Sequence, residues 1–349
     1  KIALHSSPKD KLRSAVFISS GIGNAILMVP LIKALKERGK VDAISTSSFK
    51  SHEIFEGYED SLFDNILDME GGVSWLKYSA RFKKTYDVVY LDYFAATRKN
   101  LTLARMLGKQ VRTNHIPDGY PNLLKRRVIH SPPIEDVHEG IQYLSLLDEK
   151  PTKLKLTSEH FALKPILSTR SFEGDYITIQ PGSGNNIAPW KCWPFENWQK
   201  IIEWISLEYP SLHMVVLGDG SETEMVSAIE HIENVEILIG QTEIQELPGI
   251  ISGAKLDIGQ DSSMLHIAGT TSTRSVTIWG GSDPDFYGWT KIDPKNHFTI
   301  QQKLDCHPCS RWLNPNTSKV DFPRMCPDFM CLHEIKVSDV QQAIMEVIH

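Results

Sequence analysis

The sequence predicts an α/β protein made of two doubly wound domains. First, a short apolar strand pattern, followed by a glycine-containing loop and an apolar-periodic helix, recurs along the chain. Second, polar side chains suited to ligand binding follow several of these strands, at the carboxyl ends where open parallel sheets bind ligands. Third, 349 residues with 41% hydrophobic content suffice for two domains of ordinary size, each with its own core.

Charge is distributed unevenly between the two halves of the chain. Residues 1–170 contain 26 Lys and Arg against 19 Asp and Glu, whereas the remainder contains 11 against 24. The basic first half indicates an anionic partner. Nucleic acid is not expected, because no finger or basic-helix motif occurs. Without an 18-residue apolar run or an apolar signal core, we expect a cytoplasmic protein whose membrane association is peripheral at most, at the inner face of the cytoplasmic membrane.

The first half begins with a strand, a loop and a helix. Ala15–Ser19 is the predicted strand, and the glycines of Gly21-Ile22-Gly23-Asn24 either admit a ligand to the backbone or make a plain tight turn. Pro30, inside the helical pattern that ends at Gly39, predicts a kink or a late helix start. Alternating patterns follow and predict a mostly parallel sheet: strands at Val41–Ser45 and Asp87–Asp92, and helices near Ser74–Lys84, Thr97–Leu107 and Val137–Leu147.

Domain boundaries follow from the same patterns. We assign residues 1–165 to the first domain, with the polar stretch Pro151–Ser171 as the linker region. The second domain is 172–335, and 336–349 is a terminal helix with one apolar stripe. In the first domain, the triplet Lys125-Arg126-Arg127 is either a solvated face or part of a site for an anionic acceptor.

The second half repeats the strand, loop and helix unit about four times. The strand Tyr176–Gln180 leads into Pro181-Gly182-Ser183-Gly184, whose amides suit a phosphate, and Lys191 can offset diphosphate charge. The strand His213–Gly218 is followed by Glu222, a carboxylate that either binds ribose hydroxyls or favours a helix dipole. The later predicted strands are Val235–Ile239, Leu256–Ile258 and Ser275–Trp279.

The stretch from Asp257 to Gly281 is the strongest candidate ligand site. A short strand runs into Asp261-Ser262-Ser263, where an apolar helix face opens, and the unpaired amides of a helix start attract phosphate. Asp261 can accept bonds from sugar hydroxyls, and His266, about one turn later, can donate to the same phosphate. The alternative is that Asp261 caps the helix and His266 is a surface residue.

These motifs together resemble family 9 glycosyltransferases, the heptosyltransferases of lipopolysaccharide core assembly. Gly21-Ile22-Gly23-Asn24 with Pro30 is similar to that family's first loop, so the resemblance spans nearly the whole chain. The other matching segments are Pro181-Gly182-Ser183, Lys191, Trp193-Pro194, Leu217-Gly218-Asp219-Gly220 with Glu222, Asp261 to Ala268, and Trp279-Gly280.

The resemblance implies a GT-B fold, in which two Rossmann-like domains face each other across a cleft, with the acceptor on the first domain and the donor on the second. It implies an ADP-heptose-like donor, inversion at the anomeric carbon and no metal at the donor phosphates. Carried over by position, the implied roles are diphosphate binding by Ser183 and Lys191, ribose binding by Glu222, heptose binding by Asp261, and phosphate binding by Ser262, Ser263 and His266.

The chain departs from the family pattern at two positions. Asn24 stands where the family usually has the Asp regarded as general base, and an amide cannot take a proton near neutral pH. Either Asp92, His115 or Asp118 serves instead, or catalysis relies on leaving-group stabilisation and proximity, or the chain is a non-catalytic sugar-nucleotide binder. Ser263 replaces a common Gly, which the start of a helix tolerates.

Four of the five cysteines lie within 26 positions near the C-terminus: Cys306, Cys309, Cys326 and Cys331. Their spacing predicts a tetrahedral thiolate metal site, a finger over 306–331, with iron and zinc equally suited and His307 or His333 as substitute ligands. Disulfides or four inert thiols are the alternatives. Here the chain resembles the iron-finger branch of the same family, the autotransporter heptosyltransferases, which implies a protein acceptor as an alternative to a glycan.

The sequence therefore predicts an inverting glycosyltransferase that moves a heptose or related sugar from a nucleotide diphosphate to a hydroxyl of an anionic glycan or a protein. A dinucleotide-binding oxidoreductase is the rival enzyme class. The loop Gly21-Ile22-Gly23-Asn24-Ala25-Ile26 lacks the third glycine which that class requires, and Asp42 is only a loose match to its acidic residue.

Overall fold

The computed structural model describes residues 12–46, 48, 50–69, 80–147, 154–172, 174–183, 189–309 and 326–348. Chain contacts divide the protein into two compact units. Unit 1 comprises the described residues up to Glu56 and from Asp60 to Leu156; unit 2 comprises Gly57–Glu59 and the described residues from Thr157 onward. The predicted helix at Ser74–Lys84 lies mostly outside the described residues.

Unit 1 is built on a parallel sheet of six strands, in the order β3-β2-β1-β4-β5-β6. The strands are β1 (Leu12–Phe17), β2 (Gly39–Ser45), β3 (Asn65–Asp68), β4 (Tyr86–Leu91), β5 (Gly108–Thr113) and β6 (Val128–His130). The helices are α1 (Ile22–Leu27), α2 (Val29–Arg38), α3 (Arg98–Leu107), α4 (Asn122–Lys125) and α5 (Glu139–Leu144), with a 3-10 helix at Ser51–Gly57.

Unit 2 repeats this architecture with the order β12-β11-β10-β7-β8-β9, again all parallel. Its strands are β7 (Tyr176–Ile179), β8 (His213–Val216), β9 (Val235–Ile237), β10 (Leu256–Gln260), β11 (Arg274–Trp279) and β12 (His297–Gln301). Its helices are α6 (Ser158–Phe161), α7 (Phe195–Glu208), α8 (Val226–Ile229), α9 (Leu247–Ser252), α10 (Ser263–Thr270), α11 (Pro284–Tyr287), α12 (Met330–His333) and α13 (Val337–Val347), with 3-10 helices at Pro189–Lys191, Gly220–Met225 and Ile244–Glu246.

Each sheet reverses its strand order once, and that reversal fixes where a ligand can bind. In unit 1 the reversal lies between β1 and β4, and in unit 2 between β7 and β10. Loops that leave two adjacent strands in opposite directions open a crevice at their carboxyl ends, which is the usual ligand site of doubly wound sheets. The predicted α/β fold class is therefore confirmed, with one such crevice in each unit.

Each unit has its own apolar core. In unit 1 the core packs the sheet against α3 through Phe17, Val89, Leu103 and Leu107. In unit 2 it packs β7, β10 and β11 against α7 and α13. The long helix predicted after the first loop is broken at Met28, because Pro30 lies in the first turn of α2, where its missing N–H costs no hydrogen bond.

No helix among the described residues is long and apolar enough to cross a membrane.

Candidate active site

The crevice of unit 2 is organised by the amide side chain of Gln260, at the end of β10. Its Oε1 accepts from Trp193 N at 2.9 Å, and its Nε2 donates to Pro181 O at 3.1 Å. Gln260 is fully buried, so these bonds are shielded from water. These two hydrogen bonds hold the segments around Ser183 and Lys191 against the end of β10, although the segments are several residues apart in sequence.

Lys191 and Asp261 form an ion pair at this crevice. Lys191 Nζ lies 2.8 Å from Asp261 Oδ2, and the Asp261 side chain is 5% exposed against 30% for Lys191. The ammonium is not directed along a hydrogen bond, and Oδ2 has no hydrogen-bond donor among the described residues. Beside the ammonium, this buried carboxylate can also accept a hydrogen bond from a ligand hydroxyl.

Helix α10 begins directly after Asp261, with Ser262 as its N-cap residue. The Ser262 hydroxyl does not cap the helix but donates to Gln180 Oε1. Ser263 is the first helical residue, and the Ser262 side chain makes no capping hydrogen bond to the first amides of this eight-residue helix. Uncapped amides at a helix start attract an anion, since they and the helix dipole both favour negative charge.

His266, one turn into α10, is held by Trp289. Trp289 Nε1 donates to His266 Nδ1 at 3.2 Å. An indole nitrogen only donates, so His266 Nδ1 is the acceptor and the proton of the neutral imidazole sits on Nε2. His266 is buried, and its Nε2 is therefore a fixed donor near the helix start, in contrast to the surface residue that remained as an alternative.

Glu222 and two glycines form the third part of the crevice. Glu222 is buried, and its carboxylate lies directly over the Cα atoms of Gly182 and Gly218. A Cβ atom at either glycine would overlap the carboxylate oxygens. The two glycines leave room for this placement of the carboxylate, which lies beside the loop that contains Ser183. Ser183 Oγ itself lies 3.0 Å from Cys192 Sγ.

The crevice of unit 1 contains a buried carboxyl, Asp92, which follows β4. Ser20 Oγ, after β1, donates to Asp92 Oδ2 at 3.2 Å, and Ala95 N donates to Oδ1 at 2.6 Å. Burial raises the pKa of Asp92 to about 6, although both hydrogen bonds act to lower it. A carboxyl group with a pKa near the working pH is suited to general base catalysis.

Asn24, at the position of the family's usual base, and the candidate base His115 are not hydrogen-bonded to Asp92. Asn24 is half-buried on α1, and His115 follows β5 with its ring 4.5 Å from that of Tyr93. Burial and the neighbouring His130 lower the pKa of His115, while Asp118 raises it. Among the described residues, no hydrogen bond joins the side chains of Asn24 or His115 to Asp92.

The four C-terminal cysteines are free thiols, and three of them lie close enough to Cys331 to raise its pKa. Burial raises the pKa of Cys331 to about 12, and the Cys309, Cys326 and Cys306 sulfurs contribute. The donor set thus suits a thiolate metal, since a cation would offset this mutual repulsion. Within the described ranges, however, no three His, Cys, Asp or Glu side chains converge as metal ligands. Residues 310–325 of the predicted finger lie outside those ranges.

Sequence reasoning missed the residues that support the site. Gln180 bonds Ser262, Gln260 bonds the backbone of Trp193 near Lys191, and Trp289 bonds His266. A glutamine at the buried end of a strand was the available signal, because buried amides need partners. The missed role of Ser20 had no such signal.

Two parallel sheets of the same strand order, each with ligand groups at its reversal point, define the GT-B architecture of glycosyltransferases. The family model for glycosyltransferase family 9 (heptosyltransferase) matches residues 103–319, more than half of the chain. The chain therefore belongs to glycosyltransferase family 9, and it spans about half the length of the curated relatives it matches.

One curated relative is similar in sequence, and two solved structures are similar in fold. Lipopolysaccharide heptosyltransferase 3 of Escherichia coli K12 is 25% identical over 182 residues, which are 48% of this chain and about half (51%) of that protein. ADP-heptose lps heptosyltransferase II of E. coli has a similar fold, with a TM-score of 0.72 at 16% identity over 97% of this chain and 98% of that one. The iron-containing dodecameric glycosyltransferase TibC of enterotoxigenic E. coli H10407 has a TM-score of 0.59 at 14% identity, over 97% of this chain and 76% of that one.

Proposed function

We propose that the protein is an inverting glycosyltransferase that moves a heptose, or a related sugar, from an ADP-sugar to a hydroxyl of a lipopolysaccharide core or another glycan. The Lys191–Asp261 pair beside the uncapped start of α10 carries this proposal. Lys191 is a cation suited to a diphosphate, and Asp261 is a buried acceptor of hydrogen bonds from sugar hydroxyls. Family membership and the ADP-heptose named for the similar heptosyltransferase II of E. coli support ADP-heptose as the donor.

In the nucleotide-sugar site, three kinds of hydrogen-bond donor can stabilise the negative charge that grows on the leaving diphosphate. These are the amides of Ser262 and Ser263, the Lys191 ammonium and the Nε2 proton of His266. Fixed donors aimed at developing charge lower the barrier because they need no reorganisation during the reaction. Ser183 adds a hydroxyl to the diphosphate, and Glu222 accepts from the ribose hydroxyls.

On the acceptor side, Asp92 is the proposed base. The acceptor hydroxyl oxygen attacks the anomeric carbon, and the bond from that carbon to the diphosphate oxygen breaks with its electron pair leaving on the diphosphate. Asp92 is fully buried, so the acceptor proton passes to Ser20 Oγ as the Ser20 proton passes to Asp92 Oδ2. This relay replaces the base that Asn24 cannot provide.

Donor binding is tested by titrating ADP and ADP-heptose into the purified chain by calorimetry. Lys191→Met should weaken both ligands about tenfold, since each loses a charge-assisted contact. Asp261→Asn should weaken ADP-heptose by a similar factor and leave ADP unchanged. Lys200→Met, on the exposed face of α7, is the control. Normal ADP-heptose binding by Asp261→Asn would refute the sugar assignment, and binding of NAD instead would revive the oxidoreductase.

The relay is tested by turnover. Asp92→Asn should lower kcat by at least about 100-fold with donor affinity unchanged. Ser20→Ala should lower kcat and also move the acidic limb of the kcat profile to higher pH, because the Ser20 hydrogen bond holds the pKa of Asp92 down. If His115→Gln abolishes turnover while Asp92→Asn does not, His115 is the base. Donor binding without turnover on any acceptor would indicate a non-catalytic binder.

A protein acceptor of autotransporter type is the second candidate. The cysteine group and the fold likeness to an iron-containing glycosyltransferase favour it. Transfer of labelled heptose to an autotransporter passenger domain, and not to a lipopolysaccharide core, would select this acceptor.

We also propose that Cys306, Cys309, Cys326 and Cys331 hold a structural iron or zinc ion. Metal analysis of the purified protein should find about one ion per chain, reduced by Cys309→Ser or Cys331→Ser and retained in Cys192→Ser. A metal-free wild-type protein would leave four ordinary thiols.

A further inference from the structure

Unit 1 contains a basic pocket that the proposed reaction does not use. Its volume is about 610 Å³, and among the described residues its walls carry five cationic side chains and no carboxylate. The cations are Lys83, Lys84, Arg105, Arg126 and Arg127. The last two belong to the triplet whose role the sequence left open.

The pocket lies at the edge of the sheet opposite to Asp92. Lys84 comes two residues before β4, Arg105 is in the last turn of α3 before β5, and Arg127 directly precedes β6. These three strands are parallel neighbours, so the pocket is at their amino ends, whereas Asp92 follows the carboxyl end of β4. A strand of this length separates the two edges by roughly 20 Å.

The cations are not neutralised within the fold. None of the five forms an ion pair with a carboxylate that the structure describes. Lys84 Nζ donates to the carbonyls of Arg105 and Gly108, the latter at 2.6 Å. Arg105 Nε is buried without a hydrogen-bond partner among the described residues. Burial lowers the pKa of Lys84, and the nearby Arg127, Arg105 and Lys83 lower it further, which shows that like charges are held together here.

Apolar side chains accompany this charge. Met106, Leu123 and Leu124 line the same pocket, and Leu123 is 68% exposed. An exposed leucine would add nothing to the binding of a free polyanion, because the phosphates of such a ligand interact with the cations alone. A membrane surface has both components, because anionic headgroups lie directly above acyl chains, and clusters of Lys and Arg beside inserted apolar side chains bind such surfaces.

We infer that this pocket is a docking site for a membrane containing anionic phospholipids, with the lysines and arginines on the headgroup phosphates and Leu123 in the acyl boundary. The inference is independent of the proposed donor site, since no donor-binding residue takes part. It goes beyond the sequence analysis, which limited membrane association to a peripheral one at most.

The test is co-sedimentation of the full chain with vesicles of phosphatidylglycerol and phosphatidylethanolamine, against phosphatidylcholine vesicles. Wild type should bind the anionic vesicles, and binding should fall as salt is raised. Arg126→Glu with Arg127→Glu should weaken binding at least about tenfold, since each cation near the surface contributes to affinity. The matched control is Lys40→Glu with Lys99→Glu, which makes the same charge change at exposed lysines of unit 1 outside the pocket.

A second variant removes the apolar contact without changing charge. Leu123→Ser should weaken vesicle binding several-fold, whereas Leu207→Ser, at an 81% exposed leucine of unit 2, should not. Equal loss in the charge-reversed control would mean diffuse attraction and overturn the inference. No vesicle binding, or binding of inorganic pyrophosphate alone that Arg126→Glu with Arg127→Glu abolishes, would also overturn it, the latter in favour of a soluble anion.

Discussion

At the scale of single residues, the buried carboxyl of Asp257 in β10 makes stability depend on pH. Asp257 is 1% exposed and accepts from Thr178 Oγ1 at 2.7 Å. Burial raises its pKa to about 7, above the ordinary value of 3.8. Between about pH 4 and 7 the folded state therefore binds the proton more tightly than the unfolded state, so the stabilisation is full below pH 4 and is lost as pH rises through 7.

Asp257→Asn should remove this dependence, because an amide stays neutral. Relative to wild type, the variant should gain about 2–4 kcal/mol of unfolding free energy between pH 4 and pH 8, measured by urea unfolding. Asp87→Asn is a contrasting control. The backbone amide of Arg13 and the Lys109 ammonium lower the pKa of Asp87. The unfolding free energy lost in Asp87→Asn should therefore be nearly constant between pH 4 and pH 8. Parallel wild-type and Asp257→Asn profiles would contradict the prediction.

Single residues also show how far a sequence predicts a site. Asp261, Lys191 and Glu222 were assigned to ligand binding because charged side chains near the strand ends of an open α/β sheet suit that role, and their roles stay predictions. The residues that hold these side chains in place could not be predicted. Gln260 joins Pro181 to Trp193 across the sheet, and no local pattern specifies a partner 67 or 79 positions away. The tautomer of His266 likewise depends on Trp289, which is close only after folding.

At the scale of elements, the helix α13 is an integral part of the unit 2 core. Its stripe of Val340, Ile344 and Val347 is buried against that core, and Arg274 Nη1 donates to Val347 O at 2.8 Å. Ile344→Ala should lower the unfolding free energy by roughly 2–5 kcal/mol, through lost burial and a residual cavity. Met345→Ala, at a 46% exposed neighbour, should change it by less than about 0.5 kcal/mol. Equal effects in thermal unfolding would mean that α13 does not stabilise the core.

Strands with a clear apolar pattern were predicted from the sequence, whereas a strand that depends on pairing with its neighbours was not. The strands β1, β4, β7 and β11 are rich in β-branched, aromatic and other apolar residues, and their positions were predicted within a few residues. The sequence of β5, GKQVRT, has two cations and one amide, yet it pairs with β4 and β6. Such a strand forms because its neighbours supply hydrogen-bond partners and a buried face, which is information that the segment itself lacks.

At the scale of the whole molecule, two sheets of one topology carry different chemistry at the same topological position. The reversal point of unit 1 holds Asp92, a carboxyl whose pKa suits proton transfer, while that of unit 2 holds Asp261, Lys191 and His266. The proposed division of acceptor and donor therefore predicts where a nucleotide stabilises the protein, because a ligand that binds only one unit slows opening only of the segments it contacts.

Hydrogen exchange with ADP at about 100 times its Kd checks this division. Exchange should slow by up to about 100-fold, equivalent to about 2.7 kcal/mol, in peptides covering 260–270 and 189–193. Peptides covering 18–27 and 92–97 in unit 1 should be unchanged. Lys191→Met at the same ADP concentration should show less protection in unit 2, because it binds less ADP. Protection confined to the unit 1 peptides would mean that the nucleotide binds beside Asp92, and the assignment of donor and acceptor to the two units would have to be exchanged.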